Sequence, residues 1–421
     1  MPAARAAEFR PLIAPAAIIL AAALALWIGP ALPPSIAGLK VYGAYFMLLA
    51  CAGVALWFNR GRAFVAAVSL LLAYAGYRYA LGFGADSFAA RAVYAACAVL
   101  VPANILAALL HPERGVSYHG DYRWIFIAAA EVLLVAWVAA SGRSALSGTV
   151  WQDLLEHWLL RSSPERVSVP LLGRLLFAAA FATAIWRAWP RKAERLGPLE
   201  VGLAGVLLAF YLACEWARSM VVFGVFTAAA GLVLVVAMLQ ESYRLAFHDE
   251  LTGLPGRRAL QEAMAGLGPG YVIAMADVDH FKSFNDTHGH DIGDQVLKLV
   301  AARLAEVEGG GRAFRYGGEE FTVLFPEATL AQAESHLQAI RAAIEAYQMA
   351  VRGEDRPRNK EEGAKRRLGD DPVSPEKLLS VTVSIGAAAP GGDAKTPAQV
   401  LKAADEALYR AKRGGRNRVS R

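Results

Sequence analysis

Long apolar stretches fill the first 240 or so residues of this 421-residue chain. Crossing a bilayer takes about 20 apolar residues, because lipid cannot hydrogen-bond the backbone and a helix satisfies its own polar groups. Charged residues make up only 19% of the chain, below the roughly 25% of an average soluble domain. Eight stretches have the required character, near 11–32, 38–58, 63–81, 88–110, 124–141, 170–189, 199–216 and 219–240. The sequence therefore predicts an all-α transmembrane bundle of about eight helices over residues 1–240.

The basic residues between these stretches predict how the bundle is oriented. Arginine and lysine concentrate on the cytoplasmic side of membrane proteins. With the N-terminus in the cytoplasm, the inside segments carry Arg5, Arg10, Arg60, Arg62, Arg114, Arg123, Arg187, Arg191, Lys192 and Arg195. The outside loops at 30–37 and 82–87 have none, and the break near Arg218 has one. We expect a multi-pass inner-membrane protein with both termini in the cytoplasm, and a first stretch that is retained as a helix.

The net charge of +6 follows from those loop arginines and a basic C-terminus, so we expect no nucleic-acid partner. The 142–169 loop mixes acidic and basic residues, and its 151–160 part looks amphipathic, as if it lay along the outer surface. Glu131 falls in the middle of the fifth stretch, where an ionisable group is costly and often functional. Arg91 and Arg174 are candidate partners. A sensing site on one hand, and a structural ion pair or a solvated helix face on the other, remain equally open here.

Beyond residue 240 the composition is that of a soluble domain. Residues 235–248 contain neither Gly nor Pro, so a helix can continue through a short linker at 241–248. The pattern then predicts strands at 271–276, 313–316, 321–325 and 381–387, and helices at 293–307, 330–349 and 397–412. This order, β-α-β-β-α-β, predicts a ferredoxin-like α/β (α+β) fold over 249–421. The charged stretch 352–377 is expected to be an exposed insertion.

Acidic residues follow two strands that this fold places side by side. Asp277 and Asp279 follow the first strand, and Glu319 and Glu320 follow the turn Gly317-Gly318 between the next two. Carboxylates gathered at one sheet edge suit Mg²⁺, which binds through one or two of them plus substrate phosphates. The two glycines let the backbone approach a phosphate closely. Taken alone, the same residues also fit an ordinary hairpin with solvated acids.

Five sequence motifs, which occur in a fixed order, together make residues 248–419 resemble one protein family. They are Asp249-Glu250-Leu251-Thr252-Gly253-Leu254, the run 277–286 with its continuation to Asp294, Arg315-Tyr316-Gly317-Gly318-Glu319-Glu320-Phe321, the strand 381–386, and the run 404–417. Residues 248–419 thereby resemble the GGDEF-domain diguanylate cyclases, and residues 1–240 then correspond to a membrane sensor.

The resemblance implies a role for each matching residue. It implies metal binding by Asp277, Glu319, Glu320 and the Val278 carbonyl, with two Mg²⁺ (or Mn²⁺) per active site. Glu319 and Glu320 are the implied catalytic residues, and which of them acts as base is left open. Asn285 and Asp294 resemble the guanine-reading residues. The other implied substrate contacts are Lys282, Gly317, Gly318, Lys412 and Arg416. The implied reaction joins two GTP molecules into cyclic di-GMP in a homodimer, under control of an unidentified membrane or periplasmic signal.

The sequence departs from the family pattern in two places. Gly256 stands where the opening motif usually has Asn, which removes a side-chain amide. Glu308 and Gly311 stand where the family's product-inhibition site has Arg and Asp, so we expect no inhibitory product site. The alternatives to a cyclase are a degenerate GTP-binding module, a cyclase that also accepts ATP, and a transporter with a regulatory tail. The retained acids and Asp294 favour a guanine-specific enzyme.

Overall fold

The computed structural model describes residues 10–28, 37–113, 115–116, 123–141, 169–189, 196–217, 219–351, 377–392 and 394–421. Contacts divide the chain into two compact units, Met1–Tyr243 and Arg244–Arg421. The predictions made for residues 30–36, for 142–168 with the amphipathic 151–160, and for the charged residues 352–376 lie outside the described residues.

The first unit is helical throughout its described part. Its helices are α1 (Arg10–Ile28), α2 (Ala37–Trp57), α3 (Gly61–Leu81), α4 (Phe88–Leu110), α5 (Arg123–Ser141), α6 (Leu171–Ala188), α7 (Pro198–Glu215) and α8 (Met220–Phe247). Six of the described helices, α3 to α8, are long and apolar enough to cross a bilayer. The apolar segments Pro11–Trp27 and Tyr42–Trp57 of α1 and α2 are shorter. The prediction of several apolar helices is confirmed, whereas the number of spans stays a prediction.

Alanines and a few large aromatic rings fill the centre of this unit. Tyr74, Phe210 and Phe223 are fully buried, and the rings of Tyr74 and Phe223 stack with centroids 6.1 Å apart. The buried Tyr94 hydroxyl donates to the Cys214 carbonyl at 2.9 Å. A buried hydroxyl without such a partner would destabilise the helix packing. Helix α5 differs, since none of its residues is buried in the described structure.

Ionisable side chains within the first unit have specific partners. Arg62 is buried and forms ion pairs with Glu113 and Glu200, each at 3.2 Å. Arg174, expected as a possible partner of Glu131, instead lies 3.7 Å from Glu215. Glu131 accepts a hydrogen bond from Asn104 at 2.9 Å. The sequence did not indicate Asn104, because the expected partners of Glu131 were oppositely charged residues and an amide carries no charge.

The second unit contains a five-stranded sheet with helices packed on it. Its strands are β1 (Val272–Val278), β2 (Arg312–Gly317), β3 (Glu320–Phe325), β6 (Val383–Ala388) and β7 (Val419–Ser420). Across the sheet they follow the order β2-β3-β1-β6-β7. The helices are α9 (Arg257–Ala265), α10 (Phe281–His288), α11 (His290–Ala305), α12 (Leu330–Glu345) and α13 (Pro397–Arg413). Strands β1, β2, β3 and β6 with α11 and α12 give the predicted ferredoxin-like arrangement.

Several elements go beyond the predicted pattern. Helices α9 and α10 and the edge strand β7, parallel to β6, are additions. The helix predicted over 330–349 is too long, since α12 ends at Glu345. Met349–Val351 instead forms β4, which pairs antiparallel with β5 (Lys377–Leu379). This ladder holds together the two ends of the charged insertion.

Strand β1 lies at the centre of the sheet and is buried along its whole length. Successive side chains of a strand point to opposite faces. Val272, Ala274 and Ala276 accordingly belong to one apolar cluster, and Ile273 and Met275 to another. Asp277 and Val278 are the last two residues of β1, so they lie where the central strand ends.

Candidate active site

Asp277 and Glu320 lie opposite each other on neighbouring strands. Asp277 is paired with Glu320 in the antiparallel register of β1 and β3, at the end of that ladder. Residues directly opposite in such a ladder have Cβ atoms roughly 5 Å apart, close enough for their charges to interact. Glu319 precedes Glu320, and its carbonyl accepts a bond from the Val278 backbone N–H at 3.4 Å. The structure thus brings together the four residues that the sequence assigned to the metal.

Arg315 of β2 binds the turn between β2 and β3 and connects it to a loop outside the hairpin. Gly318 has a φ of +29°, and its carbonyl accepts bonds from Arg315 Nη2 at 2.6 Å and Nε at 3.2 Å. Arg315 Nη1 also pairs with Asp249 at 2.6 Å. Asp249 in turn accepts bonds from the Thr252 backbone N–H and hydroxyl. The loop that follows α8 is therefore joined through one arginine to the glycine turn.

The clustered carboxylates disfavour one another's ionisation. Burial raises the pKa of Asp277, against the opposing effect of Lys412. Burial also raises the pKa of Glu319 and of Glu320, and the nearby Asp277 adds to both shifts. Asp405, which the sequence did not single out, contributes to the shift of Glu320. Carboxylates whose pKa is raised in this way are suited to bind a cation or to accept a proton.

A polar cleft of about 390 Å³ adjoins these acids. Lys282 of α10, Lys412 of α13 and Arg416 line it, together with Asp277 and Glu319. The Lys412 ammonium lies 2.8 Å from Asp277 Oδ1. Three cations beside these carboxylates can hold a polyphosphate and its counter-ion together.

Asp279 has a different environment from Asp277. Its oxygens accept bonds from Ser384 Oγ at 2.6 Å, Thr382 Oγ1 at 2.8 Å and the Asn417 backbone N–H at 3.1 Å. These bonds join the end of β1 to β6 and to the segment after α13. Because both oxygens are engaged, Asp279 is a structural residue, although its position in the sequence also suggested a ligand.

The segment after α13 adopts a strained backbone that brings Arg416 to the cleft. Gly415, Arg416 and Asn417 all have positive φ, at 110°, 62° and 47°. Non-glycine residues in that conformation cost of order 1–3 kcal/mol each and persist when surrounding bonds fix them. The Asn417 side chain supplies such bonds, accepting from Arg341 Nη1 and donating to Glu345 Oε1, both at 2.7 Å.

Asn285 and Asp294 are not among the residues that line this cleft. Asn285 is on α10, and its Oδ1 is buried without a hydrogen-bond partner among the described residues. A side chain at the neighbouring Gly293 would collide with that oxygen. Asp294 is exposed on the first turns of α11. A buried acceptor without a donor costs about 1–3 kcal/mol, which an N–H of a bound ligand would recover.

The donor set fits a hard divalent cation. It offers the carboxylates of Asp277, Glu319 and Glu320 and the Val278 carbonyl, all oxygen. Among the described residues no group of three His, Cys, Asp or Glu side chains is already assembled around a metal position. Mg²⁺ takes few protein ligands and completes its shell with water and phosphate oxygens, so the set is sufficient once a nucleotide is present.

Gly256 is the N-terminal cap of α9 and provides no side-chain cap, as its departure from the motif predicted. Beside it, the guanidinium of Arg257 lies 4.7 Å from the centre of the Tyr316 ring. The sequence gave no indication of this contact, because it joins residues from separate motifs.

Residues 246–361 and 366–418 match the family model described as "Diguanylate cyclase, GGDEF domain". The match lies within the second unit, and it confirms the family resemblance for that unit. Response regulator PleD of Caulobacter vibrioides is 41% identical over 189 residues, covering 43% of this chain and 37% of that protein. Diguanylate cyclase DgcP of Pseudomonas aeruginosa is 36% identical over 189 residues, covering 43% of this chain and 25% of that protein. The chain thus spans less than two-fifths of the length of these curated relatives.

A solved structure of the coiled coil and GGDEF domain of DgcB from Caulobacter crescentus, in complex with c-di-GMP, is 34% identical. The match covers 43% of this chain and 88% of the DgcB chain, with a TM-score of 0.36.

Proposed function

We propose that this chain, which has a GGDEF domain as its C-terminal unit, is a membrane-bound diguanylate cyclase. It condenses two GTP molecules into cyclic di-GMP. One observation carries the proposal. Asp277 and Glu320 face each other across β1 and β3, beside a cleft lined by Lys282, Lys412 and Arg416. Acids for a metal and cations for a polyphosphate therefore lie at the same sheet edge.

The reaction consists of two reciprocal transfers. In each, the 3′-hydroxyl oxygen of one GTP bonds to the α-phosphorus of the other, and the bond from that phosphorus to the β-phosphate oxygen breaks. Two pyrophosphates leave, and each hydroxyl proton passes to a base. The raised pKa of both Glu319 and Glu320 makes either carboxylate a competent acceptor, so the choice of base stays open between them.

Asp277, Glu319, Glu320 and the Val278 carbonyl would hold Mg²⁺, with Mn²⁺ as an alternative and two ions per site by resemblance. Bound there, the metal supplies charge neutralisation for the triphosphate. Lys282, Lys412 and Arg416 bind phosphate oxygens around it. Gly317 and Gly318 let the turn approach those oxygens without a side chain in between.

Asn285 and Asp294 select guanine. A carboxylate accepts from the N1–H and one N2–H of the base, while the amide accepts the second N2–H through Oδ1 and donates to N3 through Nδ2. The unpartnered Asn285 Oδ1 supports this assignment. A base that offers no N–H to this oxygen leaves it buried without a partner, and such a base therefore binds more weakly than guanine.

Each domain holds one GTP, so the product forms only where two chains place their sites face to face. We propose a homodimer anchored in the inner membrane, with both termini in the cytoplasm. Residues 1–240 sense an unidentified membrane or periplasmic signal, and 241–248 carry it to the cyclase domain at 249–421. The apolar helices α3 to α8 support the anchoring.

The test is to incubate the full-length chain in lipid nanodiscs with Mg²⁺ and GTP, and to identify products by mass spectrometry. We expect cyclic di-GMP and pyrophosphate from the wild type and none from Glu320→Gln. Glu327→Gln, in the turn after β3, serves as the control that keeps activity. A folded, dimeric wild-type preparation that makes no cyclic di-GMP would overturn the proposal.

A further inference from the structure

A cavity of about 570 Å³ lies within the first unit, between helices α3, α4 and α5. Its volume is in the range of small-molecule binding sites, roughly 300–1,000 Å³. Most of its lining is apolar and includes Leu72, Tyr79, Val93, Val101 and Val135. Such a cavity would accommodate a hydrocarbon chain or a small ring.

Polar side chains converge at one part of this wall. Asn104 Nδ2 donates to Glu131 Oε2 at 2.9 Å and to Ser69 Oγ at 3.2 Å. The amide is thereby oriented by two helices, and it fixes one carboxylate oxygen. The other oxygen, Glu131 Oε1, has no hydrogen-bond partner among the described residues. The carboxylate is consequently held in place with half of its acceptor capacity free.

The described lining residues include no Lys, Arg or His that could neutralise this carboxylate. Glu131 lies near the middle of α5, one of the helices apolar enough to span a bilayer. A carboxylate at that depth is costly without a counter-charge, and an ion pair there is stronger than in water. A ligand that combines a cationic group with an apolar body would therefore complement the cavity.

We propose that this cavity binds a small lipophilic amine, with its ammonium on Glu131 and its hydrocarbon part against α3, α4 and α5. Helix α5 gains most from such an occupant, since none of its residues is buried in the described structure. The site is separate from the cyclase chemistry, and its occupancy is measured without turnover.

The experiment uses the full-length chain in phosphatidylcholine nanodiscs. Octylamine is titrated by calorimetry at neutral pH, and its partitioning into empty nanodiscs is subtracted. 1-Octanol, with the same chain and no charge, is the matched probe. We expect saturable binding of one octylamine per chain and at least tenfold weaker binding of 1-octanol.

Two variants test the two parts of the site. Glu131→Gln removes the charge, and Gly76→Leu fills the cavity from α3, where a first side-chain carbon has only ordinary contacts, the nearest at 3.6 Å. We expect each to weaken octylamine binding at least tenfold, while Glu215→Gln, outside the cavity, leaves it unchanged. Octylamine binding that survives Glu131→Gln, or 1-octanol binding as tight as octylamine to the wild type, would overturn the proposal. The second comparison needs no variant, so it decides even if Glu131→Gln fails to fold.

Discussion

The ammonium of Lys412 lies 2.8 Å from Oδ1 of Asp277. A cation assigned to the triphosphate is therefore paired, before any nucleotide binds, with a carboxylate assigned to the metal. We expect this ion pair to weaken metal binding until a nucleotide offers its phosphate oxygens to Lys412, which would leave Asp277 available to hold the metal.

Lys412→Met should affect metal and nucleotide in opposite directions. Without the competing ammonium, Mn²⁺ alone should bind several-fold more tightly, whereas the KM for GTP should rise by about tenfold or more, as expected for a lost charged hydrogen bond. Electron paramagnetic resonance titration without nucleotide gives the first quantity, and steady-state kinetics the second. Lys402→Met, on the exposed face of the same helix, is the control. If the variant binds both Mn²⁺ and GTP more weakly than the wild type, Lys412 does not compete with the metal for Asp277.

Asn417→Ala should weaken GTP binding through the position of Arg416. Its side chain bridges Arg341 and Glu345, and those bonds hold the positive-φ segment beside the cleft. We expect the KM for GTP to rise about five- to thirtyfold, because one or two hydrogen bonds of about 1 kcal/mol each are lost. The kcat should change less. Arg303→Ala, which breaks an exposed pair with Glu306, should leave both constants unchanged.

Gly293→Ala should impair guanine recognition without touching the catalytic acids. A methyl group there collides with Asn285 Oδ1 and displaces the amide. We expect the discrimination between GTP and inosine triphosphate, measured as a ratio of kcat/KM values, to fall about tenfold. The control is Gly268→Ala, where an added methyl meets open space. An unchanged ratio would remove Asn285 from base recognition.

Asp249→Asn should lower stability in a pH-dependent way. Burial tends to raise the pKa of Asp249, but hydrogen bonds from Thr252 and Arg315 outweigh it and lower that pKa. A lowered folded-state pKa gives stability above the ordinary value of about 4, which is lost as the pH falls through the folded value. Melting curves should show the variant about 2–4 °C less stable at pH 7, with the difference shrinking below about pH 4. Glu406→Gln, an exposed acid on α13, should show no such trend.

We expect the proposed cyclase activity not to be inhibited by cyclic di-GMP at an allosteric site. Glu308 lacks the positive charge of that site, and a side chain at Gly311 would come within 2.7 Å of the Phe325 ring and 2.8 Å of Val307. Progress curves should stay linear until GTP is depleted, when pyrophosphate is removed enzymatically. Calorimetric binding of cyclic di-GMP at low micromolar affinity to Glu320→Gln, away from the active site, would contradict this expectation.

The core of the second unit was predictable because it depends on local patterns. Alternation along β1 and the short turn after β2 predict the strands, and the β-α-β-β-α-β order places the hairpin beside β1. The register that sets Asp277 opposite Glu320 is seen only in the structure. The partners of Asp279 were not predictable, since Ser384 and Asn417 come from segments more than 100 residues later. Helix α12 was predicted too long for a related reason. Met349–Val351 has a strand partner only beyond the insertion, and tertiary pairing there overrides the helical pattern.

The same β4–β5 ladder makes residues 352–376 a natural place to alter the chain. Its paired strands bring Val351 and Lys377 side by side, so the sheet that carries Asp277 and Glu320 does not depend on the length of chain between them. The entropy of closing a longer loop grows only slowly, by about 0.6 kcal/mol for each doubling. A fluorescent reporter or an affinity epitope spliced between these two residues would therefore leave the five-stranded sheet intact.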